Sequence, residues 1–153
     1  MSEHKASVTW KRNTPDFSYE TYDRTHAWRF EGGVTLTASA APEFMGNPEL
    51  VDPESAYAAS LSSCHLLSFL AIAARKKFTV DSYADHAVAT LEKNAEGKLA
   101  ITRVVLRPRV TFGGERIPDE AEIRKLHERA HGICFIANSV RSEVVVEPVV
   151  GAG

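Results

Sequence analysis

Ala56-Tyr57-Ala58-Ala59-Ser60-Leu61-Ser62-Ser63-Cys64-His65-Leu66-Leu67-Ser68-Phe69-Leu70-Ala71-Ile72-Ala73-Ala74 carries apolar or small residues all the way round a helical wheel, the pattern of a helix buried on every side. Its start is announced just upstream. Asp52 suits the N-cap, Pro53 the first helical position, and Glu54 puts negative charge at the positive end of the helix dipole, so the spacing predicts a helix from Pro53 to about Lys77. Serines and a histidine in mid-segment argue for a central core helix over a membrane span. A helix so apolar in a small chain needs a layer on both faces. A partner subunit is expected to cover one of them, giving a twofold homodimer.

Working outward, Ser7–Trp10, Phe17–Tyr22 and Val34–Ala38 bear Thr, Val and aromatics at near-alternating spacing and read as antiparallel strands, with Gly32-Gly33 as a hairpin turn. The stretch 41–52, with Pro42, Gly46, Asn47 and Pro48, has the chemistry of a loop. Beyond the helix, Ser82–Leu91 and Leu99–Phe112 form a β-ribbon joined at Asn94-Ala95-Glu96-Gly97. Pro118-Asp119-Glu120 opens an amphipathic helix with Ala121, Ile123, Leu126 and Ala130 on one face, which Gly132 stops. A short helical turn through Val140 and a last strand at Ser142–Glu147 complete the chain. The order is that of an α+β fold without βαβ alternation, read as a single domain over 1–153.

A chain of 153 residues with 44% hydrophobic and 25% charged content can fold on an ordinary apolar core. A net charge of −2, with no basic stripe, offers little to phosphates, which removes nucleic acid as a main partner. No apolar signal-peptide region follows Met1, so a cytoplasmic location is expected. In a reducing compartment two cysteines are not a permanent staple, and they are too few for a structural zinc site unless histidines join them. Redox or nucleophilic chemistry is what remains.

Cys64 lies mid-helix and Cys134 just past a helix stop about 70 residues later, so only tertiary folding can bring them together. Each could be a small buried hydrophobe. Their surroundings, Ser62-Ser63-Cys64-His65 and Gly132-Ile133-Cys134-Phe135, are polar or small instead of a Leu/Ile cluster, which favours function. A reactive cysteine needs its thiolate stabilised by an arginine or a hydrogen-bond donor. Arg24 and Arg29 are the candidates, and Glu54 is an acid able to orient a guanidinium fork. His65 follows Cys64 by one residue, about 100° round the helix, and so cannot serve as its base. His65 and His131 are read as structural, and His26 and His86 carry no informative spacing.

The run Val51-Asp52-Pro53-Glu54-Ser55-Ala56-Tyr57-Ala58-Ala59-Ser60-Leu61-Ser62-Ser63-Cys64, together with Ala130-His131-Gly132-Ile133-Cys134, resembles the OsmC/Ohr family of osmotically inducible and organic hydroperoxide resistance proteins over nearly the whole chain. The resemblance implies antiparallel sheets wrapped around a long central helix in an intertwined homodimer. It implies a peroxidase in which Cys64 attacks an organic hydroperoxide, Cys134 resolves the sulfenic acid as a disulfide, and Glu54 orients an arginine. The external reductant would be a lipoyl-type dithiol, with no cofactor or metal. Arg24, eight residues before Gly32, resembles the Ohr-type interval, whereas Arg29-Phe30-Glu31-Gly32 resembles a string of some OsmC-type members; Arg24 is preferred. Two departures stand out: Phe135 follows the second cysteine where the family often has Pro, and His65 follows the first where it often has Phe. Ten residues of helix separate Glu54 from Cys64 by about 15 Å, so the acid is expected from the partner's helix or through a mobile arginine loop. The competing readings are an apolar-ligand-binding domain without turnover and a thiol redox sensor.

Overall fold

A computed structural model describes residues 1–151. The chain divides into two compact units, Met1–Ala56 and Tyr57–Gly153.

The first unit is a three-stranded antiparallel sheet of β1 (Ala6–Thr9), β2 (His26–Phe30) and β3 (Thr35–Ala38), in that order. Gly33 takes φ 86° in the β2–β3 turn, a conformation open to glycine at no steric cost. The segment Phe17–Tyr22, expected as a strand, is instead a turn, and His26–Phe30 is the strand that sequence reading passed over. The reason is local. Thr21 donates from Oγ1 to Asp16 at 2.7 Å, and the Thr21 and Tyr22 amides both bond the Ser18 carbonyl, so side-chain and turn bonds compete with a ladder. The alternating aromatics pack on one another: the Phe17 and Tyr22 rings lie 5.4 Å apart, and Phe17 meets Trp10 at 5.9 Å. Val8, Trp28 and Leu36 stand opposite one another across the sheet, and Val8 (65%) and Leu36 (42%) are exposed, so one face of this sheet is apolar and open.

The helix α1 (Pro53–Arg75) is capped as its sequence promised, Ser55 donating its amide to Asp52 Oδ1 at 2.8 Å. It ends two residues before Lys77, which adopts φ 61° while the Phe78 amide returns to the Ala73 carbonyl, a Schellman ending with lysine where glycine is usual. Burial on every side is not what the chain gives. Ala58, Leu61, His65, Phe69 and Ala73 form one buried stripe, while Ala59, Ser63, Leu67 and Ala71 stay exposed. Alanine and serine suit either environment, so a helix with one core face and one small-residue face looks uniformly apolar in sequence. By length and composition α1 could also cross a membrane.

In the second unit the expected ribbon exists but is broken in the middle. The pieces are β4 (Thr79–Ala84), β5 (Val88–Lys93), β6 (Leu99–Leu106) and β7 (Arg109–Gly113), with β4 pairing β7 and β5 pairing β6, both antiparallel. Asp85 holds the break: its carboxylate accepts the Arg107 amide at 2.6 Å and the Ser62 hydroxyl at 2.5 Å. Pro108, buried beside it, has no amide for a ladder. The last strand, β8 (Glu143–Val146), adds to β6 in parallel, the one parallel pair among the described strands.

The helix α2 (Glu120–Ile133) starts at Asp119, whose side chain accepts the Glu122 amide at 2.8 Å. It packs antiparallel to α1: Phe69 and Ala73 share a core with Leu126 and Ala130, and Lys76 at the end of α1 is paired with Glu122 near the start of α2. Ala121, assigned to the apolar face, is exposed; His127 takes a buried place on that face instead. A second core of Leu61, Val104 and Leu106 joins α1 to the β5–β6–β8 sheet.

Candidate active site

The two cysteines meet where α1 and α2 lie side by side. Cys64 sits in the fourth turn of α1, half-buried; Cys134 is the residue that closes α2 and is 1% exposed. Both are free thiols, near enough to each other that Cys64 influences the titration of Cys134. Cys134 is fixed from two sides: its amide bonds the His131 carbonyl at 3.3 Å, and its sulfur accepts the Ala137 amide at 3.4 Å as the chain turns into the short helical segment Ala137–Ser139. Burial pushes the Cys134 thiol up to about 11, and the neighbouring Cys64 acts in the same direction, against the amides of Ala137 and Ile136. At neutral pH Cys134 is therefore a protonated thiol. Cys64 opens on a depression of about 370 Å³ lined by Ser60, Ser63, Leu67, Ser68, Phe135 and Ile136. Its wall is apolar, with Phe135 81% and Leu67 63% exposed.

Arg24 and Glu54 belong to the first unit. Arg24 is 8% exposed, its two terminal nitrogens donating to the carbonyls of Tyr22 (2.8 Å) and Tyr19 (2.7 Å), with its guanidinium 4.0 Å from the Tyr22 ring centre and 5.3 Å from that of Tyr19. Among the described residues no ion pair joins it to Glu54, which lies in the first turn of α1. Arg24 edges an apolar depression of about 490 Å³ with Val8, Trp10, Phe17 and Tyr22. Arg29 is exposed on β2 opposite Ser7 and Thr35, on the polar face of the sheet.

Residues 46–149 match the family described as OsmC-like protein. The chain belongs to the OsmC-like family. Among solved structures it is similar to an OsmC-like protein of unknown function from Vibrio cholerae, with 49% identity, TM-score 0.94, and 97% of this chain and 100% of that chain covered. More distant OsmC-like folds include an organic hydroperoxide resistance protein from Legionella pneumophila, at 19% identity and TM-score 0.71, covering 97% of this chain and 96% of that one. The organic hydroperoxide resistance protein OhrB of Bacillus subtilis is similar at 17% identity and TM-score 0.68, with 97% and 98% covered. No curated protein matches the sequence.

This OsmC-like chain also contains a feature that sequence reading missed. His65, placed as structural, is 1% exposed and bonds His127 through Nε2 to Nδ1 at 3.0 Å, with the rings nearly parallel at 5°. His127 in turn stacks on Phe69, ring centres 4.3 Å apart. Burial pushes His65 down to about 4, with His131 adding to the effect and Asp85 opposing it; burial and then His65 push His127 down to about 3. Both rings are neutral at pH 7. The available signal was spacing, since Ile123, Leu126, His127 and Ala130 follow the i, i+3, i+4, i+7 rule of a core-facing stripe.

Proposed function

We propose that the chain is a thiol peroxidase that reduces organic hydroperoxides to alcohols. The observation that carries this reading is a pair of neighbouring free thiols, one protonated and buried, the other beneath an apolar depression. In the first step the Cys64 thiolate attacks the distal oxygen of ROOH; the O–O bond breaks, the alkoxide takes a proton and leaves as ROH, and Cys64 becomes a sulfenic acid. The Cys134 thiol then displaces hydroxide from that sulfur, giving the Cys64–Cys134 disulfide and water. An external dithiol of lipoyl type reduces the disulfide, is itself oxidised to a cyclic disulfide, and restores both thiols. A protonated Cys134 suits this order, because it does not compete with Cys64 for the peroxide.

Arg24 is proposed to stabilise the thiolate and the developing alkoxide, with Glu54 orienting it. Its present partners are neutral main-chain carbonyls and ring faces, so its charge is not cancelled by a carboxylate and remains available to an anion. The homodimer is supported by two open surfaces, the apolar face of the β1–β3 sheet and the small-residue face of α1 that carries Ser63 and Leu67. A reducing cytoplasm would keep both thiols ready.

Steady-state consumption of cumene hydroperoxide with dihydrolipoamide tests the proposal. The wild-type protein is expected to turn over many times, and Cys64→Ser to reduce the rate by about 10⁴-fold or more, as removal of a nucleophile does. A stop after one equivalent of peroxide, with dithiol in excess, would convert the reading to a redox sensor.

A further inference from the structure

We propose that α2 carries a binding site for a divalent transition-metal ion, held by His127 and His131 and separate from the thiol pair. The sequence His127-Glu128-Arg129-Ala130-His131 has two histidines one helical turn apart with a glutamate directly after the first, the His-Glu-x-x-His spacing that places two imidazoles on one face of a helix. Here the run lies inside α2, so that spacing is realised. His127 is 2% exposed; its Nδ1 is taken by His65, and its Nε2 is buried without a hydrogen-bond partner among the described residues. His131 likewise keeps a buried Nδ1 with no partner among the described residues. Buried ring nitrogens are normally satisfied, and two orphans on successive turns of one helix ask for a common ligand. Both histidines line a depression of about 220 Å³ together with Arg124, Glu128, Val146 and Pro148.

The chemistry of this set selects a cation that favours imidazole, such as Zn²⁺, Co²⁺ or Ni²⁺. His65 plays the part of an outer partner, since a ligating histidine usually has its second ring nitrogen hydrogen-bonded and thereby fixed in orientation. Glu128 brings a negative charge to the rim. Arg124, the one cation in the lining, is engaged with Glu120, to which its Nε and Nη2 donate at 3.2 and 2.7 Å. No three His, Cys, Asp or Glu residues converge as a ready metal cage among the described residues. The site is therefore open, with two imidazoles from the protein and water completing the sphere, and it binds more weakly than a closed four-ligand zinc site.

The test uses the full-length Cys64→Ser/Cys134→Ser double variant, so that thiol coordination cannot contribute, stripped with chelator and titrated with CoCl₂ and, separately, ZnCl₂ by calorimetry and thermal melts. One ion per chain and a rise in Tm with added Zn²⁺ are expected, both lost on adding His131→Ala. His131→Gln, which keeps the side chain's bulk and polarity, is expected to lose binding as well while melting like its parent in chelator. Absence of binding, binding unchanged by both His131 substitutions, or binding seen only when the cysteines are restored would each overturn the site.

Discussion

Cys64 and His65 are chain neighbours on α1, each with its partner on α2, yet they live in opposite environments. Cys64 faces a depression and neighbours Cys134 at the end of α2; His65 points into the core and bonds His127, two turns earlier. One residue step of about 100° separates a reactive edge from a buried one. The same antiparallel helix pair holds both contacts, so the fold positions the thiols with a polar clamp lying directly behind them. Of these two pairs, the thiols are the one proposed to change covalent state, and the histidines are the one that joins the two helices by a buried hydrogen bond.

The largest effect is expected on the thiol side. Cys134→Ser is expected to leave the first oxidation of Cys64 intact, with one equivalent of peroxide consumed at near wild-type rate, and to lower dihydrolipoamide-driven turnover by about 10²-fold or more because the sulfenic acid has no resolving partner. Mass spectrometry of the peroxide-treated variant should find a sulfenic or overoxidised Cys64, and the wild-type protein a Cys64–Cys134 disulfide. Turnover unchanged in Cys134→Ser would remove Cys134 from the cycle.

On the histidine side, His127→Ala leaves the His65 ring buried with its partner gone and opens space against Phe69. A loss of about 2–4 kcal/mol in urea unfolding is expected, from an unsatisfied buried group plus a cavity. The double variant His65→Phe/His127→Leu replaces both partners by apolar side chains of similar size, and should recover most of that loss. A double variant as unstable as His127→Ala would mean that the pair stabilises through packing shape alone.

Much of this was legible in sequence because it is local. Asp52 and Pro53 at the start of α1, Asp119 at the start of α2 and Gly97 in its hairpin turn each act within a few residues, and the structure carries all three. The cysteines were legible as candidates by residue type, but their contact is tertiary, and spacing held no information about it. The failures share that cause. Phe17–Tyr22 has the period of a strand but satisfies its aromatics by clustering with Trp10; Lys77 ends α1 with a backbone turn that no glycine announces; β8 pairs in parallel because β6 offers it an edge that a local pattern cannot reveal. His127 was hidden because a histidine on an apolar stripe looks like an interruption until its partner on another helix is known.

The smallest expected effect is on the pH dependence of stability, measured in chelator. His65 and His127 are held neutral by burial, down to about 4 and about 3, while in the unfolded chain both take a proton near 6.5. Between pH 6.5 and about 4 the unfolded state therefore binds more protons than the folded one, and stability must fall as the pH falls through that window. Carboxylates add to acid unfolding mostly below pH 5, Asp52 and Glu122 among them, since hydrogen bonding with Ser55 and with Lys76 respectively holds each below its ordinary value. The interval from 6.5 to 5 thus isolates the histidines. Urea midpoints of the wild-type protein should decline across it, and those of His65→Phe/His127→Leu should be flatter, because the two side chains that take up protons on unfolding are gone. Equal slopes in the two proteins would show that the rings are already protonated in the native core, and Asp85, the acid whose charge opposes the neutral state of His65, would be the group to substitute next.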